Sequence, residues 1–114
     1  MWKVLLIIFV TSTFSYSPTV FSANISLSIC QYVAVNDKKR LRSFLKSNRL
    51  KIRKLYKDLR CNGKNILIFA ASKNSIKTAE MIIGKLSKKI ITANLTELSS
   101  ISEELATAAK KRIE

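Results

Sequence analysis

The sequence contains no histidine, one proline and only two glycines among its 114 residues. The absence of histidine removes the commonest general base and the commonest metal ligand. Two cysteines without a histidine do not supply the three or four ligands of a metal site, so we predict no metal and no cofactor. So few glycines and prolines argue against a many-stranded sheet with tight turns and favour helices.

Acidic residues are also scarce. Seven Asp and Glu stand against 21 Lys and Arg, a formal net charge of +14. Asp37 and Asp58, the only acids between positions 23 and 72, fit a helix cap or an ion pair better than paired catalytic carboxylates. Serines have no base beside them except surface lysines. Cysteines 31 positions apart do not form a Cys-x-x-Cys redox motif. We predict that the protein is not an enzyme; a thiol-redox or other enzyme is the alternative.

The first segment predicts a secretory signal peptide. Lys3 supplies a positive charge, positions 4–10 form an unbroken apolar run, and small or modest residues at the −3 and −1 positions place cleavage after Ser22. The alternative is an uncleaved membrane anchor, which needs ~20 apolar residues, far more than this run. The predicted division is a signal peptide at 1–22, a helical-hairpin domain at 23–95 and a C-terminal helix at 96–114, with no transmembrane helix in the mature chain.

An exported chain enters an oxidising compartment, where two cysteines usually form a disulfide. We therefore predict a periplasmic or secreted location and a bridge between Cys30 and Cys61. Two unpaired thiols in reducing surroundings are the alternative. Closing a loop of this length would stabilise the fold by roughly 3–4 kcal/mol.

Apolar residues recur at helical spacing along most of the remaining chain. Asp37 and Asn65 are expected to cap helices, and Asn62 or Gly63 to end one in the left-handed conformation. Positions 65–71 also fit a buried strand, although Ala70-Ala71 favours a helix. Positions 87–94 are predicted to form a loop, and the last helix to dock loosely. The predicted helices are 25–35, 38–46, 50–59, 65–71, 76–86 and one that starts at Ser99 or Ser100.

Two segments are similar to each other and to the opening of an ankyrin repeat. Positions 63–74 keep the Gly, the Leu and the Ala-Ala pair of that opening but lack its Thr-Pro-Leu-His corner, and positions 33–37 repeat the pattern 37 positions earlier. Two units are fewer than the three that a solenoid usually needs. We predict an all-α fold, a small disulfide-linked helical-hairpin bundle; ankyrin-like hairpins and a simple bundle both fit.

Four short motifs carry a family resemblance. They are Ile-Cys-x-x-Val-Ala-x-Asn-Asp at positions 29–37, Leu41-Arg42, positions 49–53 and Cys61-Asn62-Gly63. With them the chain resembles, over positions 29–86, a family of short exported gammaproteobacterial proteins of unknown function. The resemblance implies a periplasmic or secreted location. It assigns no activity, ligand or catalytic residue.

A basic segment is the clearest functional signal. Positions 38–64 hold 12 Lys and Arg and a single acid, Asp58. Eight of these cations recur mostly at three- or four-residue spacing and are therefore expected to line one or two helix faces. These candidate anion-binding residues are Lys38, Lys39, Arg42, Lys46, Arg49, Arg53, Lys57 and Arg60.

Such a surface attracts phosphate-rich or acidic partners. We predict a non-catalytic binding module for an anionic envelope component: an anionic lipid, lipopolysaccharide or an acidic protein. Nucleic acid is less favoured, because export argues against it and no tryptophan remains after cleavage to stack on bases. The alternatives are a charged face that only keeps the protein soluble and a protein–protein module that uses ankyrin-like hairpins.

Overall fold

Seven helices form most of residues 22–114, the part of the chain that the computed structural model describes. The predicted all-α fold is confirmed, because this part contains no β-strand and only an isolated bridge between Cys61 and Lys64. The predicted signal peptide, apart from Ser22, lies outside the described residues. The helices are α1 (Ala23–Ala34), α2 (Lys38–Ser47), α3 (Ile52–Leu55), α4 (Ile66–Ser72), α5 (Ile76–Lys85), α6 (Lys88–Ile101) and α7 (Glu103–Ile113).

The six longer helices form three hairpins, and α4 lies at the centre of the bundle. The hairpin partners are α1 with α2, α4 with α5, and α6 with α7. The sequence of α4 is apolar on every side, and a helix of that kind has to be buried on every side. All six residues from Ile66 to Ala71 are buried, and α4 contacts α1, α5 and α6. The helix predicted for positions 65–71, with Asn65 as its cap, is therefore confirmed.

Three helices end in the same left-handed turn. Asn36, Arg49 and Asn74 follow α1, α2 and α4 with φ angles of 58°, 55° and 57°. After α1, the backbone N–H of Asn36 donates to the Val33 carbonyl (3.0 Å) and that of Asp37 to the Tyr32 carbonyl (2.9 Å). This is the hydrogen-bond pattern of a Schellman motif, and the other two turns share it. Asparagine tolerates this conformation better than most residues, which explains its choice at two of the turns.

The hairpins α1–α2 and α4–α5 repeat along the chain. Their left-handed asparagines lie 38 positions apart (74 − 36), one more than the spacing predicted from the sequence. Asp37 and Ser75 follow them as the N-cap residues of α2 and α5. The repeat is thus a helix, a left-handed Asn, a cap and a second helix. A relation to ankyrin repeats stays a prediction.

Each of the two repeated turns caps a helix of the other hairpin, an arrangement that we call the cap exchange. Ser75 is the N-cap residue of α5, yet its hydroxyl donates to the carbonyl of Val33 on α1. Asn36 replaces the missing cap: its Oδ1 accepts from the backbone N–H of Thr78 (3.0 Å) and from the Thr78 hydroxyl (3.1 Å). Ser75 and Thr78 are both buried, so each of these polar groups needs a partner inside the protein. The exchange therefore fixes the first hairpin against the second.

A second polar cluster joins α4, α6 and the segment after α3. Asn94 on α6 is buried, and its Nδ2 donates to the Tyr56 hydroxyl and to the Ile90 carbonyl, both at 2.8 Å. Its Oδ1 accepts from Nδ2 of Asn65 (3.0 Å). The Oδ1 of Asn65 in turn accepts from the backbone N–H of Ile68 (2.9 Å). One buried side chain thus links the cap of α4 to α6 and to Tyr56.

The predicted third helix, 50–59, is wrong in length. Within this range only α3 is helical, although Ile52, Leu55 and Leu59 are all buried. The Cys30–Cys61 bridge holds the two Cα atoms 5.6 Å apart, so the chain turns back towards α1 instead of extending the helix.

The prediction that Asn62 or Gly63 ends a helix is therefore wrong, because no helix precedes them directly. Both have positive φ, 56° and 79°, and lie at the centre of a tight turn. The backbones of Cys61 and Lys64 exchange two hydrogen bonds across it, of 2.8 and 3.0 Å. Positive φ at both central residues is the geometry of a type I′ turn, for which Asn-Gly is the preferred pair.

The loop predicted at positions 87–94 is wrong. These residues form the first half of α6, whose cap is Ser87: its hydroxyl oxygen accepts from the backbone N–H of Ile90 (3.3 Å). Ile91, Asn94 and Leu98 form the buried stripe. The predicted boundary between positions 95 and 96 consequently falls inside α6.

The last helix differs from its prediction in start and in docking. It begins at Glu103 with Ser102 as its cap, not at Ser99 or Ser100. Leu105, Ala106 and Ala109 are buried in the common core. The guanidinium of Arg112 also donates to the Leu86 carbonyl at the end of α5 (3.2 Å). Because α7 contacts both α5 and α6, it is an integral part of the bundle.

The predicted disulfide is confirmed, and Cys30 and Cys61 are bonded. We expect the double variant Cys30→Ala/Cys61→Ala to lose about 3–4 kcal/mol of unfolding free energy, because its unfolded chain is no longer closed into a 31-residue loop. Denaturant titration measures the loss. A reductant should destabilise the wild type by a similar amount and leave the variant unchanged. Equal stability of the oxidised wild type and the variant would contradict the prediction.

The exchanged caps give a second prediction. Asn36→Gly keeps a residue suited to positive φ but removes the acceptor of two Thr78 hydrogen bonds, so it should cost about 1–3 kcal/mol. Asn36→Ala should cost roughly 1 kcal/mol more, because alanine is strained in the left-handed conformation. Asn74→Gly is the matched control, since Asn74 is exposed and has the same φ. Thermal unfolding measures the loss of stability in each variant. Equal losses of unfolding free energy at positions 36 and 74 would rule out the cap exchange as a stabilising contact.

Candidate anion-binding site

The eight predicted anion-binding residues lie on four consecutive segments. Lys38, Lys39, Arg42 and Lys46 belong to α2, Arg49 is the left-handed residue after it, and Arg53 belongs to α3. Lys57 and Arg60 lie between α3 and α4. All are exposed except Lys38, which is half-buried. The prediction of a basic surface thus depends on how α2 and α3 pack against the rest.

Three of these residues line a groove between α2, α3 and α5. The groove has a volume of about 330 Å³, and we call it the α2–α5 groove. Its cations are Arg42, Lys46, Lys51, Arg53 and Lys85, and its apolar lining residues are Leu45, Leu50, Ile52 and Met81. The described lining includes no acid. Five cations around an apolar floor make a strongly positive surface.

A second concavity, the polar pocket, adjoins the first. It has a volume of about 580 Å³ and is lined by Asn36, Asp37, Lys38, Lys39, Arg42 and Lys77. Arg42 lines both the polar pocket and the α2–α5 groove. The two concavities are therefore neighbours, with Arg42 as their shared lining cation.

The acceptor groups of the polar pocket are already engaged. Asp37 Oδ1 accepts from the backbone N–H of Arg40 (3.0 Å), and Oδ2 lies 3.6 Å from Nε of Arg40. Oδ1 of Asn36 accepts twice from Thr78. These contacts hold the single acid of the pocket at the start of α2, and the lysine ammonium groups and the Arg42 guanidinium are the cationic donors of the pocket.

The structure adds cations that the sequence pattern missed. Lys77 and Lys85 lie on α5, outside the basic segment, and the contacts of α2 and α3 with α5 bring them to it. Lys51 is inside that segment but does not follow its three- or four-residue spacing. The sequence pattern of α5 indicates that Lys77 and Lys85 lie on its polar face. It does not specify which helix packs beside that face.

Three predicted residues line neither concavity. They are Arg49, Lys57 and Arg60. The Arg60 guanidinium donates to the carbonyls of Tyr56 (3.3 Å) and Leu59 (3.1 Å), so it completes the irregular turn after α3. Of the candidates on the predicted third helix, Arg53 lies on α3 but Lys57 falls beyond its end at Leu55, so these two cations do not share a helix face.

Positive charge is unevenly distributed over the fold. Positions 38–85 carry 15 Lys and Arg against two acids, Asp58 and Glu80. Positions 86–114 carry five cations against four acids and are nearly neutral. The excess charge of the protein is thus concentrated on α2 to α5, where the two concavities lie.

Other site chemistry has less support in the described part of the chain. Within residues 22–114, no group of three or more His, Cys, Asp or Glu side chains is arranged to hold a metal ion. The same residues include no helix with the length and apolar character needed to cross a membrane. Cys30 and Cys61 are both in the disulfide.

Comparison with known proteins gives one match. No curated protein and no solved structure is significantly similar to the chain. Residues 29–93 match a family described as "Protein of unknown function (DUF3718)". The match begins at the residue where the family resemblance in the sequence begins, and it extends through the first half of α6. Because it covers more than half of the chain, the protein belongs to this family of unknown function.

Proposed function

We propose that the protein is a non-catalytic binding module whose basic surface binds an anionic component of the cell envelope. The observation that carries the proposal is that the α2–α5 groove and the polar pocket are neighbours that share Arg42. Together these concavities collect eight cations from three helices and the segment before α3. Concave basic surfaces concentrate the field of their charges and attract phosphate-bearing ligands.

An exported location is part of the proposal. The disulfide between Cys30 and Cys61 supports it, because such bonds persist in oxidising compartments and are rare in the cytosol. The apolar run at positions 4–10 supports it independently through its likeness to a signal peptide. In the periplasm or outside the cell, anionic lipid and lipopolysaccharide are the phosphate-rich surfaces that such a protein meets.

The uneven charge distribution predicts which face of the protein binds the anionic surface. The face formed by α2, α3 and α5 would approach the anionic surface, while the nearly neutral α6–α7 hairpin adds little attraction. An acidic protein would be attracted to the same face. Vesicles of defined composition separate these partners because they contain no protein.

Co-sedimentation with vesicles tests the proposal. We expect the protein to bind phosphatidylglycerol vesicles and not neutral phosphatidylcholine vesicles. Binding should weaken strongly between about 0.1 M and 1 M salt, since the screening length falls from about 10 Å to 3 Å. Association that is independent of both lipid charge and salt would refute the proposal.

A matched pair of variants locates the binding surface. Arg42→Gln/Lys46→Gln removes two groove cations, and at ~1 kcal/mol for each cation near a membrane it should weaken vesicle binding by roughly 30-fold. Lys110→Gln/Lys111→Gln removes the same charge from exposed positions on α7 and should weaken it by less than about threefold. Equal losses would mean that net charge alone drives binding and that the groove is not the site.

A further inference from the structure

The α2–α5 groove has an aliphatic floor. Leu45, Ile52 and Met81 are buried, Leu50 is half-buried, and each contributes to the lining. A methionine side chain is unbranched and can adapt its shape to an apolar ligand. The groove volume of 330 Å³ lies at the lower end of the range of about 300–1,000 Å³ for small-molecule sites. The groove is thus the right size for one chain-like ligand.

The lining side chains offer hydrogen-bond donors but no strong acceptors. Lysine and arginine only donate, and the other lining side chains are Leu, Ile and Met. A bound peptide would bring backbone N–H groups that find no side-chain acceptor there, at a cost in free energy. An alkyl chain has no polar group to satisfy, and a phosphate has only acceptors to present. The chemistry of the groove therefore matches an amphipathic phosphate.

We propose that the α2–α5 groove holds an alkyl chain of an anionic lipid whose phosphate lies at Arg42. Arg42 is the cation shared by the groove and the polar pocket, so a phosphate beside it adjoins the pocket that Lys38, Lys39 and Lys77 also line. The inference rests on the proposed function, which it deepens by naming the ligand class. It adds a requirement that charge alone does not impose: affinity depends on the length of the apolar chain.

A series of n-alkyl phosphates tests this requirement. Titration calorimetry on the purified protein, below the micellar concentration of each ligand, should show affinity rising about two- to fourfold per methylene. If a methylene occupies roughly the 30 Å³ of a water molecule, the rise should level off on the order of ten carbons. An uncharged alkyl glucoside of equal length should bind at least about tenfold more weakly. Equal affinity for ethyl and decyl phosphate would overturn the inference.

Met81 supplies a direct probe of the groove. The chain has two methionines, Met1 and Met81, and Met81 lines the groove. With the methionine methyl groups labelled, the Met81 resonance should shift on addition of decyl phosphate and stay in place with ethyl phosphate. This measurement needs no substitution. An unshifted Met81 resonance at saturating decyl phosphate would also overturn the inference.

A substitution in the floor provides the matched control. Leu50→Gln should weaken decyl phosphate binding by about tenfold and change ethyl phosphate binding by less than about twofold. Leu95→Gln changes a half-buried leucine on α6 outside both concavities and should leave both affinities unaltered. Equal effects of the two variants on decyl phosphate would count against the groove.

The two proposals fail separately. If vesicle binding depends on lipid charge and salt while alkyl length has no effect, the alkyl-chain inference is wrong and the anionic-surface function stands. If vesicle binding ignores lipid charge and salt, both are wrong.

Discussion

The burial of α4 is the constraint on which the rest of the structure depends. A short helix with no polar face cannot lie on a surface, so it needs apolar partners all round. α1, α5 and α6 supply them, and α1 and α6 bring their hairpin partners α2 and α7 with them. α2 reaches α5 as a consequence of this arrangement, and their lysines and arginines then share one face. The basic surface is thus a by-product of how the chain covers one apolar segment.

Much of the fold could be predicted because its signals are local. The apolar stripes of α1, α2 and α5, the caps Asp37 and Asn65, and the pair of cysteines all depend on residues close in sequence or on compartment. The helix at positions 88–94 was wrongly predicted as a loop because its signal is not local. Asn94 interrupts an apolar stripe, and the partners that satisfy it, Tyr56 and Asn65, lie 38 and 29 residues away. Only the folded chain makes that asparagine compatible with a buried helix face.

The candidate site was less predictable than the fold for a related reason. A charge pattern within one segment predicts which residues share a face only while the helix continues, and α3 ends after four residues. Arg42, Lys46 and Arg53 remain together, whereas Lys85 and Met81 join them from α5 through tertiary packing. The apolar floor had no signal at all, because Leu45 and Ile52 look like ordinary core residues in the sequence. A groove between elements is a property of their packing.

The joint between α6 and α7 consists of one residue. Ser102 ends the first helix and caps the second, so no linker absorbs a change in chain length there. One residue inserted after Leu105, inside α7, would turn the rest of that helix by about 100° around its axis and move it by about 1.5 Å, which would turn Ala109 away from the core. A substitution at this joint alters a cap, but an insertion within either helix changes the phase of all the helical residues that follow it. Length variation among relatives should therefore be absorbed in the irregular segments on either side of α3, where no helical phase has to be kept.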